Sequence, residues 1–182
     1  MNDIQITTPT PEDAEGIQTV IVETWLDTYP NVEAGITRDD IAHMFADAFT
    51  EASLQKRRDA LANVAEQGKL FRVAKDAGPV VGVCGISGQE TFNRLGLIYI
   101  LPRYQGKGIG RKLWEAVLPF LDSTKDTMVQ VAAYNTKTIV FYEKLGFTDT
   151  GKRLSDEKWR MKSSAVIPEM EMILKASGYT PR

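Results

Sequence analysis

The chain has 182 residues, 43% hydrophobic and 25% charged, with 22 Lys and Arg against 24 Asp and Glu. That length fits a single domain over residues 1–182 that buries roughly 70% of its unfolded surface without staples, and the composition excludes a disordered chain. A net charge of −2 argues against a dedicated nucleic-acid binder, and one Cys and one His exclude an internal disulfide or a multi-cysteine zinc site.

The start alternates, with Ile4 and Ile6 on one face, and reads as a first strand. Thr10, Pro11, Glu12 and Asp13 form a helix start: a cap, a proline at the first helical position, and acids at the positive end of the dipole. Ala14, Ile17, Ile21 and Trp25 then recur at helical spacing until Tyr29, Pro30 and Asn31 break the run. Thr37 to Asp40 can cap a second helix whose apolar side holds Ile41, Met44, Phe45, Ala48 and Phe49. Ser53 starts a third, carrying Leu54, Leu61, Val64 and Ala65, and Gly68 stops it.

The period then changes. Residues 70–75 and 80–86 are β-rich and flank the turn Asp76-Ala77-Gly78-Pro79, which predicts a hairpin. After a polar loop, 95–101 (LGLIYIL) is apolar on both faces, as a covered central strand is. Residues 102–111 (PRYQGKGIGR) lead into a helix with Ile109, Leu113, Val117, Leu118 and Leu121, which Pro119 should end or kink. A strand over 128–133, a helix over 136–145 capped by Gly146, and strands over 147–150 and 168–174 complete the chain. The order βααα ββ β α β α ββ predicts an α/β (α+β) fold with a mixed central sheet flanked by helices. No run approaches the ~20 apolar residues of a membrane span, and residues 1–10 lack the form of a signal peptide, so the reading is cytoplasmic with no membrane partner.

The chemistry concentrates in residues 103–112, RYQGKGIGRK: three glycines and four basic side chains with no acid, between a buried strand and a helix. Glycines let successive N–H groups point at one spot, and the helix adds its N-terminal partial charge, so this is an anion cradle. Lys107, Arg111 and Lys112 could add attraction or a second phosphate contact. The spacing Gly106, Gly108, Gly110 matches neither the Walker pattern nor the dinucleotide pattern.

At these residues the chain resembles the GNAT superfamily of N-acetyltransferases. That family's pyrophosphate signature, Gln/Arg-x-x-Gly-x-Gly/Ala after the fourth strand, is met by Gln105, Gly106, Lys107, Gly108, Ile109 and Gly110, preceded by Ile98, Tyr99, Ile100, Leu101 and Pro102. A second landmark follows about thirty residues on: Asn135, then Phe141, Tyr142, Glu143, Lys144, Leu145, Gly146 and Phe147. The resemblance covers essentially the whole chain and is weakest over 31–66 and 151–167. It implies a mostly antiparallel sheet whose fourth and fifth strands splay apart, and acetyl-CoA as co-substrate. The pantetheine would lie against main-chain groups of Ile98, Tyr99 and Ile100, and the pyrophosphate on the loop from Gln105 through Arg111 and Lys112. Asn135 would hydrogen-bond the pantetheine, and Tyr142 would stand near the sulfur as the acid for the departing thiolate.

The implied reaction is direct attack of a primary amine on the thioester in a ternary complex. An alkyl amine with pKa about 10.4 must lose a proton first, and the oxyanion would be met by a main-chain N–H of the fourth strand. Relatives often carry a Glu on or before that strand as base; residues 93–99 hold no carboxylate, and Glu90 lies in the preceding loop. Ordered water, Asp27 and Glu33 remain as options. The absent base also motivates a second reading, a CoA-binding module or sensor without turnover; a nucleotide-binding protein using the same loop is a third.

Trp25 and Tyr29 lie where the family shapes the acceptor pocket, and the acceptor is expected to be a small-molecule amine rather than a protein N-terminus. A homodimer is possible, as is common in such families. Cys84, in VVGVCGI with no nearby His, reads as a core residue, and His43 lacks a metal partner. Residues 152–162, with five basic and two acidic side chains, read as a solvated loop.

Overall fold

A computed structural model describes residues 4–63 and 68–178. Strand β1 (Ile4–Thr7) leads through a single 3₁₀ turn (Pro11–Asp13) into helix α1 (Ala14–Thr28). The Thr10 amide donates to the Asp13 carboxylate at 2.9 Å, which ties that turn. Ala14, Ile17, Ile21 and Trp25 are buried at the predicted spacing.

Helices α2 (Arg38–Met44) and α3 (Glu51–Ala62) depart from the sequence reading. The second helix stops before Ala48 and Phe49, and Phe49 is exposed. Thr50 accounts for this: its hydroxyl donates to the Asp47 carbonyl (2.9 Å) and accepts the Ser53 amide (3.3 Å). A side chain that caps the next helix competes with continuing the last one, so Thr50 and not Ser53 starts α3. Leu54 and Leu61 are buried, while Val64 and Ala65 lie outside the described residues.

The hairpin is present as β2 (Lys69–Asp76) and β3 (Val80–Gly88), followed by β4 (Asn93–Ile100). Helix α4 (Ile109–Val117) passes into a 3₁₀ turn (Leu118–Phe120) at Pro119. Then come β5 (Thr127–Ala132), α5 (Thr136–Lys144), β6 (Thr148–Ser155) and β7 (Pro168–Leu174). Strand β6 runs five residues beyond its predicted end; it is an edge strand whose side chains are mostly exposed, so burial leaves no trace in its sequence.

The seven strands form one sheet in the order β1-β2-β3-β4-β5-β7-β6, antiparallel throughout except for β4 beside β5. Helix α1 packs on β3 and β4, and α4 packs on β2, β3 and β4. The core between them holds Leu95, Leu101, Leu113, Phe147 and Met172, all at most 2% exposed. Among the described residues no helix is long and apolar enough to cross a membrane.

Asp40 joins α2 to the distant loop between β6 and β7. Its carboxylate accepts from the Thr37 hydroxyl (2.7 Å), the Thr37 amide (2.9 Å) and the Ser163 amide (2.9 Å), which together hold its pKa well below the usual carboxylate range. A depressed carboxylate pKa adds stability that is complete above the unfolded value of about 3.9 and is lost as pH falls through the folded one. Asp40→Asn is therefore expected to lower Tm at pH 7, with the gap from wild type closing as pH drops below about 4. Thermal melts from pH 7 to pH 2 check this.

Candidate active site

The site begins with an irregularity in β4. Opposite β3, Gly85 pairs with Leu97 and Ile86 with Leu95, so Gly96 is an extra residue and β4 carries a bulge. Past that point β4 leaves β5: the two strands pair only at Asn93 with Thr127 and Arg94 with Met128. The joined end is locked by Asn93, buried, whose side-chain amide donates to the Asp122 (2.8 Å) and Lys125 (3.1 Å) carbonyls. Beyond it opens a cleft of about 810 Å³ between the two strands, lined by Ile98, Tyr99 and Ile100 on one side and Val129, Gln130 and Val131 on the other.

The Leu101 amide donates to Val81 in β3 (2.9 Å), so strand alternation turns the main-chain groups of Ile98 and Ile100 to the open edge. The Ile100 carbonyl there accepts from the Thr24 hydroxyl (3.2 Å) and the Gln105 side chain (3.1 Å). Gln105 thus braces the turn that starts the glycine loop. A second brace is Tyr104, whose hydroxyl donates to Asp76 at the end of β2 (2.8 Å).

Gly106 and Gly108 have φ of +74° and +77°, the left-handed region, and nothing lies within 4 Å of where a Cβ would stand on either. The first α4 bond runs from the Lys112 amide to the Gly108 carbonyl (3.1 Å), so the amides of Ile109, Gly110 and Arg111 have no acceptor within the helix. Two open left-handed glycines followed by three uncommitted amides suit a phosphate oxygen. Gln105, Gly106, Gly108, Ile109, Gly110 and Arg111 all line the cleft. The side chains of Lys107 and Lys112 are not among its lining residues: Lys107 lies 4.8 Å over the Tyr104 ring, and Lys112 is exposed.

Asn135 and Tyr142 face the loop from α5. The Asn135 side-chain oxygen accepts the Thr138 amide (3.1 Å) and caps α5, leaving its NH₂ as the group free to donate to a ligand. Tyr142 is 4% exposed, and burial, then the neighbouring Tyr99 and Cys84, push its pKa well above the ordinary value. It is a phenol, not a phenolate, at neutral pH.

Cys84 is wholly buried in β3, and burial pushes its thiol up to about 12. Ellman's reagent at pH 8 is expected to leave the native protein unlabelled and to titrate one thiol once the chain is unfolded in guanidinium. Rapid native labelling would contradict the burial.

A family model for the acetyltransferase (GNAT) domain matches residues 27–162. The chain belongs to the GNAT acetyltransferases. A search of curated protein sequences found no match. Among solved structures, the chain is similar to the PaiA N-acetyltransferase of Thermoplasma acidophilum in complex with coenzyme A, at 20% identity over 93% of this chain and 98% of that one, with a TM-score of 0.66. It is also similar to YncA of Salmonella typhimurium with acetyl-CoA (17% identity, 100% and 98% covered, TM-score 0.68) and to a GNAT acetyltransferase of Streptococcus pneumoniae (17%, 94% and 99%, 0.69). These likenesses show that the GNAT fold extends along the chain.

Within this GNAT fold the two aromatic residues expected at the acceptor side divide. Tyr29 lines the cleft; Trp25 does not, and instead stacks behind it with ring centroids 4.2 Å apart. Of the candidate bases, Asp27 lines the cleft, whereas Glu33 is exposed and is not among its lining residues. The sequence reading passed over Gly96, although an isolated glycine inside an apolar strand signals a bulge. It also passed over Tyr134, whose hydroxyl donates to the Tyr29 carbonyl (2.8 Å) and ties the β5–α5 loop to the end of α1. No local pattern marks that contact.

Proposed function

We propose that this GNAT protein is an N-acetyltransferase that moves the acetyl group of acetyl-CoA to a small-molecule primary amine by direct attack in a ternary complex. The observation that carries this reading is the continuity of the open β4 edge with the glycine cradle at the start of α4. A thioester arm can add to that edge as a strand would, while its diphosphate meets the amides of the loop.

In this reading the amine attacks the thioester carbon, the N–C bond forms, and the C–S bond then breaks. A main-chain N–H on the open edge of β4 receives the oxyanion. Tyr142, held protonated by its surroundings, donates to the departing sulfur. The amine's proton leaves to Asp27, the carboxylate that lines the cleft, or to water. Asn135 holds the arm through its NH₂.

Isothermal titration with acetyl-CoA and with CoA tests the first half: binding is expected, and its absence would overturn the reading. Thiol release against a panel of amines tests the second. Because residues 93–99 of β4 bear no carboxylate, a CoA-binding sensor is the competing reading, and tight cofactor binding with no thiol release from any amine would favour it.

A further inference from the structure

Where the cleft meets α1, three hydrogen-bond donors gather with more protons than partners. Tyr29 and Tyr99 both line the cleft, and their hydroxyls approach to 3.4 Å. That separation is longer than the roughly 2.8 Å usual between hydroxyls. Whichever phenol donates, the proton of the other stays unspent. Behind them Trp25 is only 7% exposed, and its indole nitrogen is buried with no hydrogen-bond partner among the described residues. An indole N–H can only donate, and a buried donor left unmet is costly. Burial raises the Tyr99 pKa, while hydrogen bonding from Tyr29 and then Trp25 acts the other way, which sets the indole N–H beside that hydroxyl.

These donors are held in place. Trp25 stacks on Tyr29 with ring centroids 4.2 Å apart and meets Phe45 at 5.3 Å and Trp159 at 5.4 Å. The Tyr29 amide donates to the Trp25 carbonyl (3.1 Å) at the end of α1, and its carbonyl accepts the Tyr134 hydroxyl (2.8 Å). Tyr99 is fixed by β4, opposite Val83 of β3. Donors fixed beforehand lose little freedom when an oxygen arrives. Charge decides which kind of oxygen suits them. Among the described residues, the cations lining the cleft are Arg111, Lys137 and Lys144, all on α4 and α5. Helix α1 instead brings Asp27, the one carboxylate among the described lining residues, and the negative end of its dipole.

We infer that Tyr29, Tyr99 and Trp25 form a subsite for a neutral oxygen on the acceptor amine: an ether, a hydroxyl or an amide carbonyl. This rests on the acetyl-transfer reading above. The ligand oxygen takes the spare phenol proton, and the phenol pair can turn so that the indole N–H finds an oxygen as well. A methylene in the same place would leave those donors unmet. A carboxylate would come up against Asp27 and the helix end with like charge. Tyr29 and Tyr99 are thus specificity-determining residues that read a lone pair on the acceptor.

The test uses the full chain saturated with CoA, so that binding is read without turnover. 3-Methoxypropylamine is titrated against pentylamine, and 2-methoxyethylamine against butylamine, each pair differing by an oxygen in place of one methylene. Phenylalaninamide against phenylalanine sets a neutral oxygen beside a charged one. In at least one of the first two pairs the ether is expected to bind about tenfold more tightly, and phenylalaninamide about tenfold more tightly than phenylalanine. The double variant Tyr29→Phe/Tyr99→Phe keeps both rings and removes both phenol protons. It is expected to bring each ether to within about twofold of its alkylamine, and in turnover to raise KM for the ethers more than for the alkylamines. Alkylamines that bind as tightly as their ethers in both pairs, phenylalanine binding more tightly than its amide, or no binding by any amine overturns the inference, and none of these comparisons needs a variant. An oxygen preference that survives in the folded double variant overturns it too. The expected preferences without thiol release from any amine would instead sink the transfer reading alone.

Discussion

Tyr142→Phe is expected to lower kcat for amine acetylation by about 10²-fold while leaving acetyl-CoA affinity within about twofold of wild type. The substitution removes one hydroxyl and keeps the ring, which packs against Phe141 and Phe147 at centroid distances of 5.3 and 5.5 Å. Nothing in the cofactor's grip on the glycine loop depends on that oxygen. In the proposed mechanism the departing thiolate does, because a proton donor stabilises it as the C–S bond opens. The pH dependence has a definite sign. Burial, with Tyr99 and Cys84 nearby, raises the Tyr142 pKa well above 10, so the donor form persists as pH rises through the alkaline range. A basic limb in kcat set by this phenol is expected only above about pH 10. Steady-state thiol release from pH 6 to pH 10, with acetyl-CoA binding measured in parallel, separates the two effects. A wild-type turnover rate in the variant would remove Tyr142 from the acid role.

Gly108→Val is expected to weaken acetyl-CoA binding by about 10- to 100-fold. Gly108 caps α4 at φ +77°, ψ 0°, a conformation that costs an L-residue about 1–2 kcal/mol and a β-branched one more. The site where its side chain would project is empty of protein atoms, so the penalty arises in the backbone and in the space left for the ligand. Relaxing φ to negative values would re-aim the amides of Ile109, Gly110 and Arg111, the groups proposed to receive the diphosphate. Titration calorimetry reads the loss directly. Lys112→Ala is the matched control: the side chain is exposed and is not among the cleft-lining residues, and a small change is expected. A variant Gly108→Val that binds like wild type would show that the loop does not carry the phosphates.

The glycine loop was legible in the sequence because everything it needs is local. A strand end, a left-handed turn and a helix start occupy ten consecutive residues, and each is set by glycine placement and by the helix that follows. The same holds for the cap at Thr37 and for the hairpin turn at residues 76–79. Thr50 was missed for a related reason: two hydroxyl residues, Thr50 and Ser53, stand three apart, either can cap, and only the packed chain selects between them.

Of the aromatic residues that meet around Tyr29, only Tyr29 itself was legible in the sequence as a side chain lining the cleft, and the reason is distance along the chain. Tyr29 and Tyr99 are 70 residues apart, and Tyr134 and Tyr29 are 105 apart, yet their hydrogen bonds build one wall. No period or spacing encodes such a meeting. It follows from the bulge at Gly96, which parts β4 from β5 and so decides which side chains face the gap. Local backbone preference thus dictated where a loop suited to an anion forms. The choice of what is brought to it belongs to the sheet, because register and strand divergence are properties of paired segments and of no single one.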